Sequence, residues 1–445
     1  MLARGLGARQ RQDVLKRSRG GNPSPPPRLV IPGRLGTSSK PADFSVVHLG
    51  RTRRLSLLLA PQVRGSLANQ LADILTAQTA ILKKQAGIRL VTSQTVFLRD
   101  AADQPECERL FGAHYGDQAP VTTFVLQAPC CGAALAMEAW AMGGPSVRVE
   151  RFGPNLMAVQ YDGLRWVYCG GIQSSESSGL LHRQTLDALD KLRCALRQAG
   201  CGFESVVRTW FYLGAITGSE RRTQRYKELN RARCDFYRTI KFYDSLLPAD
   251  CPRPVYPAST GIGASGTGLV LGCTAMQTQR GDLVLMPLEN PQQTPAYQYH
   301  ARYSPRSPKF SRAIALVAPD YVTTWVSGTA SIVDSESQHR GDIGKQTEQT
   351  IDNIEKLIAP QNFRSRGVPN AGASLQDMAK LRVYIKRHED YAKCRAVCER
   401  RFGAVPTIYA LADVCRPELL VEIEGVAFSP RTPVNPNGTE RFLGR

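Results

Sequence analysis

The chain has 445 residues, 42% of them apolar and 21% charged, with a formal charge of +19. That length exceeds one ordinary hydrophobic core and predicts about three domains, and the composition argues against extensive disorder. No run reaches the ~20 apolar residues of a membrane-spanning helix, so a cytoplasmic protein with no membrane partner is expected.

In chain order, residues 1–41 come first, with nine Lys or Arg against one Asp and the string Gly20-Gly21-Asn22-Pro23-Ser24-Pro25-Pro26-Pro27. They show no hydrophobic periodicity, which predicts a disordered basic tail. A solvated tail explains it better than a polyanion-binding arm. The remaining positive charge is spread over the body, where an anionic small substrate accounts for it as well as DNA does. No specific nucleic-acid partner is expected.

One pattern then occurs three times, over 42–150, 151–300 and 301–430, before a short tail over 431–445. In the first copy Leu71, Ile74, Leu75 and Leu82 share a helical face, and Gly87 suits the helix stop. A strand over Thr95–Leu98, a helix ending near Phe111 and a strand over Leu135–Met142 follow. The second copy repeats the order. Its strand Leu164–Ile172 precedes a helix striped by Leu186, Leu189, Leu192 and Leu196. Then come a strand over Arg208–Leu213, a helix to Tyr237 and a strand over Leu269–Met276. The third copy offers Tyr321–Ile332, a helix over Glu348–Leu357, Leu381–Ile385, a helix to Phe402 and Val421–Phe428. Strands rich in β-branched and aromatic residues, alternating with helices, predict α+β units with helices on one sheet face.

The string Thr260-Gly261-Ile262-Gly263-Ala264-Ser265-Gly266 has dinucleotide-fingerprint spacing, but a strand follows it where a helix is needed. It reads as a glycine-rich turn, and no cofactor is expected. Twelve cysteines form no disulfide framework, and none has partners at metal-ligand spacing, so no metal is expected either.

Aligning the last strands of the copies sets Glu422 against Ala136 and Val270, while Glu424 matches Glu138. A fold needs its core residues in every copy; a reactive residue is needed in only one. From a bare Val421-Glu422-Ile423-Glu424 string, two solvated edge-strand carboxylates would be the plainer reading.

The repeat resembles the RidA (YjgF) family over roughly 50–430. Its marks are the Gln-Thr helix, the Ala-Gly stop, the Val-Tyr-Ile strand and the Val-Glu-Ile-Glu-Gly ending. The last two copies resemble a narrower group, the chorismatase family. The segments that carry this are Arg225–Arg233, Tyr256–Gly263, Tyr303–Ala313, Ser327–Val333 and Asp413–Gly425. The resemblance implies an α+β fold of three tandem RidA/YjgF-like (chorismate-mutase-like) repeats forming an intrachain pseudo-trimer, and a monomer. The copy over 42–150 departs from the family as an extra, degenerate repeat.

The resemblance also implies a substrate, chorismate, cleaved to pyruvate and a hydroxylated acid without a cofactor. It puts the family's acid–base glutamate at Glu422. Burial between Val421 and Ile423 would keep such a carboxyl protonated, as a general acid needs. Two substrate carboxylates call for arginine forks and hydroxyls, for which Arg253, Arg306, Tyr299 and Tyr303 are the candidates. In a chain this basic, a surface role is the plainer reading for any single arginine. Cys415 has no histidine partner, so no thiol mechanism is expected. Together with Gly328 and Ala330 in the Ser-Gly-Thr-Ala segment, it resembles the 3-hydroxybenzoate-forming version. A RidA-like imine deaminase is the enzyme alternative. It is disfavoured because Thr407-Ile408-Tyr409-Ala410 lacks the arginine of that family. A non-catalytic binding scaffold is the third possibility.

Overall fold

The computed structural model describes residues 29–35, 43–85, 87–88, 90–176, 179–301 and 303–431. Except for 29–35 and 431, the expected tails over 1–41 and 431–445 lie outside the described residues.

The alternating segments build three six-stranded sheets with one strand order. The first holds β1 (Val30–Gly33), β2 (Phe44–Leu49), β3 (Thr52–Leu59), β4 (Leu90–Leu98), β5 (Val121–Val125) and β6 (Leu135–Gly143), arranged β1-β2-β3-β6-β4-β5. The second holds β7 (Arg148–Gly153), β8 (Leu156–Tyr161), β9 (Leu164–Gln173), β10 (Val206–Gly214), β11 (Ala258–Ala264) and β12 (Leu269–Thr278), arranged β7-β8-β9-β12-β10-β11. The third holds β13 (Val284–Leu288), β14 (Ala313–Val317), β15 (Tyr321–Ala330), β16 (Met378–Ile385), β17 (Thr407–Leu411) and β18 (Val421–Pro430), arranged β13-β14-β15-β18-β16-β17. Each last-formed strand inserts at the middle of its sheet. Each sheet closes on one parallel pair: β4 with β5, β10 with β11 and β16 with β17.

Two long helices accompany each sheet: α1 (Leu67–Lys84) and α2 (Gln104–Tyr115), α3 (Leu181–Gln198) and α4 (Arg225–Tyr237), α5 (Ile343–Ile358) and α6 (Tyr391–Phe402). Helix α3 buries Leu189, Leu192 and Leu196 on one stripe, and Gly200 follows it at φ +64, a conformation that a Cβ disfavours. Helix α5 starts at Asp342, whose carboxylate accepts the Lys345 N–H at 3.2 Å.

The expected boundaries shift with strand pairing. Strand β7 already belongs to the second sheet at Arg148, and β13 joins the third at Val284, ahead of 300. The short apolar run Val284–Leu288 finds its partner in β14, across the proline-rich segment. The glycine-rich string, expected as a turn, is mostly strand: Thr260 to Ala264 lie inside β11, and the turn comes at Gly266. A Cβ on Gly263 would sit 2.5 Å from the Asp413 carbonyl, so glycine there permits close approach of the second and third sheets.

The sheets meet edge to face. The Leu411 N–H donates to Ala128 O, and the Gly263 N–H to Asp413 O, both at 2.8 Å. A shared apolar cluster joins Phe97 and Ala136, Tyr212 and Ile262, and Tyr384 and Ile408, one pair from each sheet. A buried ionic network also spans all three. Lys380 and Arg382 of β16 pair with Glu138 of β6, Arg382 also lies 3.3 Å from Glu424, and Arg208 of β10 lies 2.7 Å from Glu424. Among the described residues no helix is long and apolar enough to cross a membrane.

Candidate active site

Strand β18 is buried along nearly its whole length, flanked by β15 and β16. The two-residue period of a strand sends Glu422 and Glu424 to the same face. Glu422 lies opposite Ala330 on one side and Tyr384 on the other. The β15–β18 register slips between Val326 and Thr329, which brings Gly328 against the Glu422 carboxyl. A Cβ on Gly328 would lie 1.9 Å from Glu422 Oε1.

Glu422 is 5% exposed, and among the described residues no side chain hydrogen-bonds its carboxyl. Burial pushes its pKa up to about 8; the nearby Glu424 carboxylate adds to this, and Arg208 opposes it. Glu424 is held the other way. Burial works to raise it, but Arg208, then Arg382 and Lys380, keep it below the usual carboxylate range, with Trp210 Nε1 donating to it at 2.9 Å.

Glu422 faces a cavity between the second and third sheets, walled also by Tyr299, Tyr303, Gly328, Ala330 and Cys415. Six of the eight expected site residues thus converge. Four cations, Lys227 among them, join them. Arg233 of α4 is 1% exposed, donates to Asn230 Oδ1 at 2.6 Å, and packs its guanidinium 5.3 Å from Phe211 and 5.8 Å from Phe310. No carboxylate pairs with it among the described residues. Arg312 donates to the Tyr299 hydroxyl at 2.7 Å. Arg416 covers the Tyr303 and Tyr299 rings at 4.7 and 5.4 Å. Cys415 is a thiol at neutral pH, since burial, with Glu422 beside it, raises its pKa to about 12.

Arg253 and Arg306 do not reach this cavity. Arg253 pairs with Asp244 at 2.5 Å, and both arginines line a separate groove behind the 303–310 segment. Along that segment Ser304, Pro308 and Phe310 turn toward Glu422, whereas Pro305, Arg306 and Lys309 turn away. Arg233 was the arginine to find. Tyr226, Asn230 and Arg233, at helical spacing, put polar groups on the inward face of α4, a signal that an arginine-rich helix hides.

Related clefts lie at the other two sheet junctions. Between the third and first sheets, Ala136 stands where Glu422 would, and Arg395 is paired with Glu399 at 2.7 Å. Between the first and second, Phe111, Tyr115 and Phe124 line a cleft without Arg or Lys among its described residues. Nor do three His, Cys, Asp or Glu side chains converge where a metal could sit, among the described residues.

No family model matches the chain. It is 36% identical over 232 residues to a 3-hydroxybenzoate synthase of Streptomyces hygroscopicus, and 36% identical over 229 residues to a chorismatase of Streptomyces rapamycinicus. Each match covers 51% of this chain, which spans 64% of the length of either relative. A chorismatase crystal structure superposes with a TM-score of 0.60 at 22% identity, over 85% of this chain and 100% of that one, so the fold is shared. The second and third sheets, within 148–431, make up less than two thirds of the chain. The superposition therefore extends into the first sheet, and the front repeat belongs to the shared fold rather than being an addition to it.

Proposed function

We propose that this protein is a chorismatase, cleaving chorismate to pyruvate and 3-hydroxybenzoate by acid–base catalysis at one cleft. The observation that carries the reading is a proton-retaining carboxyl, Glu422, facing a cavity whose buried Arg233 has no carboxylate among the described residues to neutralise it. A buried cation without an anion is costly unless a ligand supplies one. A dianionic substrate does so, with Arg233 and Arg312 as the carboxylate forks and Tyr299 and Tyr303 beside them. The similarity to a 3-hydroxybenzoate synthase and a chorismatase supports the same reading.

The chemistry balances around one proton. Glu422 delivers it to the enolpyruvyl methylene. The ether bond to the ring then breaks, its electrons leaving with pyruvate. As that bond breaks, the neighbouring ring hydroxyl oxygen closes onto the vacated carbon as an epoxide and gives its proton to Glu422, which returns it as the epoxide opens at the far carbon. The vacated carbon then loses its hydrogen as a proton, which restores Glu422 and leaves the hydroxyl at the 3-position. No water is consumed on the hydroxybenzoate route, whereas hydrolysis to a dihydroxycyclohexadiene acid takes up one. Cys415, a neutral thiol, and Gly328, which lets the carboxyl lie close, suit a cavity that excludes water.

In this proposal the domains are the three repeats, redrawn at the strand boundaries, and they form an intrachain pseudo-trimer. The shared strand order and the three junction clefts support that arrangement. The protein would act as a cytoplasmic monomer; twelve cysteines, all free, suit a reducing compartment. The test is incubation of the full chain with chorismate, with pyruvate and the aromatic acids separated by chromatography. Equimolar pyruvate and 3-hydroxybenzoate are expected; absence of pyruvate overturns the proposal.

A further inference from the structure

The groove that holds Arg253 and Arg306 is a cavity of about 770 Å³, within the usual size range of small-molecule sites. We propose that it is a second ligand site, for a phosphorylated small molecule that joins three or four negative charges to a planar ring. Its binding is independent of the chorismatase reading.

The charges are uneven. Arg238, Lys241, Arg306 and Lys309 line the groove, and none pairs with a carboxylate among the described residues. Both acids on the lining are already engaged: Asp244 by Arg253 at 2.5 Å and Asp235 by His182 at 2.9 Å. With Asp235 keeping its charge beside a neutral His182, five cations less two acids leave a net charge of three on the lining, which focuses a positive field. A dicarboxylate would leave part of it, whereas a di- or triphosphate matches it, and arginine forks fit phosphate oxygens.

The wall selects for a ring. Tyr256 is half-buried at the groove, stacked at 6.3 Å and 20° on Tyr237, with Phe242 behind and Lys309 Nζ 5.7 Å from its ring. The groove is closed off from Glu422 by the 303–310 segment, whose residues alternate between the two cavities. Cys234 Sγ donates to the Ser307 carbonyl at 3.3 Å, tying that segment to α4 next to Arg233. An anion that draws on Arg306 and Lys309 therefore acts on the same segment that presents Pro308 and Phe310 to the catalytic cavity. By linkage it shifts substrate affinity.

Isothermal titration of the full chain with ATP, pyrophosphate and adenosine, at about 50 mM and about 150 mM salt, reads the binding. ATP at one equivalent, weaker pyrophosphate and no adenosine are expected. Lys241→Glu and Arg306→Glu should each weaken ATP about tenfold or more, while Lys84→Glu, an equal charge change on α1, should leave it in place. Equal losses in all three variants, or unchanged binding in the groove variants, reduce the groove to unspecific basic surface and overturn the site. Pyrophosphate as tight as ATP removes the ring from the proposal. The linkage rests on the proposed function and is read separately: saturating ATP shifts the KM for chorismate in the wild type and not in Arg306→Glu. Binding with an unchanged KM keeps the site and removes the linkage.

Discussion

Glu422 and Glu424 stand two residues apart on one face of β18, and their proton affinities move in opposite directions. Glu424 is ionised by Arg208, Arg382 and Lys380 against the cost of burial, while Glu422, without a hydrogen-bond donor among the described residues, is raised to about 8 by burial and by the charge on Glu424. One carboxylate thus keeps the other an acid. Turnover of chorismate should be level below about pH 8 and fall about tenfold per unit above it, as the acid form is lost. Glu424→Gln removes the neighbouring charge, so the alkaline limb should move to lower pH. A pH profile of kcat/KM for both proteins checks this, and an unmoved limb in the variant counts against the coupling.

Stability should follow the same group with a definite sign. Because folding raises the proton affinity of Glu422 above the ordinary 4.5, its contribution is fully present below that value and is lost as pH rises through about 8. Glu422→Gln should therefore match the wild type near pH 4.5 and become the more stable protein by pH 8.5, by an amount on the order of a few kcal/mol. Urea unfolding at the two pH values measures it. The same variant should lose about 10²-fold or more in kcat. A protein that gains stability while losing turnover separates catalysis from folding.

Two buried arginines should respond differently. Arg208 is paired with Glu424 at 2.7 Å, so Arg208→Met leaves a buried carboxylate short of its strongest partner and should cost about 3–5 kcal/mol. Arg233 has no such partner among the described residues, and Arg233→Met should leave the unfolding midpoint near that of the wild type while raising the KM for chorismate about tenfold or more. Denaturation curves and initial rates on the two variants give the contrast.

Why the site was half legible is physical. Comparison of the copies isolates Glu422, because Ala136 and Val270 carry the same strand without a carboxylate. Tyr303, Gly328, Ala330 and Cys415 stand on the segments that carry the family resemblance, Tyr299 stands just ahead of one, and they do converge. Arg306 stands there too and Arg253 just ahead of another such segment, yet sequence does not fix the direction of a loop side chain: Ser304 and Pro308, on either side of Arg306, face the other cavity. Arg233 was hidden because a helix with three arginines and a lysine reads as a solvated face until its partners are known. The sheets were legible as periodic strands. Strand β13 was not, since its partner lies across a proline-rich segment, and its pairing is a tertiary fact.

Gly328 should prove a position where one methyl group alters chemistry. Its absent Cβ leaves room for Glu422 Oε1, which would otherwise lie 1.9 Å away. Gly328→Ala must push the carboxyl aside, and a misplaced proton donor lowers kcat more than it raises KM. Cys415→Ala changes the wall beside the same carboxyl without touching its position, so it should alter the ratio of 3-hydroxybenzoate to hydrolysed product more than the rate. Product chromatography alongside steady-state rates checks both; a Gly328→Ala enzyme with wild-type kcat contradicts the geometry.

Glu138 gives the first sheet a part in this arrangement, although Ala136 stands in its own cleft where Glu422 would. It is 3% exposed, lowered to about 2 by Arg382 and Lys380 against burial, and lies 3.0 Å from Arg382 Nη2. Those two cations would otherwise face Glu424 alone. Glu138→Gln leaves them undercompensated in a buried setting and should cost about 3–5 kcal/mol. It also adds net positive charge next to Glu424, which should draw the alkaline limb of turnover downward. Lys380→Met in the same protein restores the charge balance. If the network acts as a unit, the double variant is more stable than Glu138→Gln alone and its pH profile returns toward that of the wild type. A double-mutant cycle measures the coupling. Additive losses, with no recovery of the profile, would make Glu138 a local core residue of the first sheet and separate it from the acid in the third.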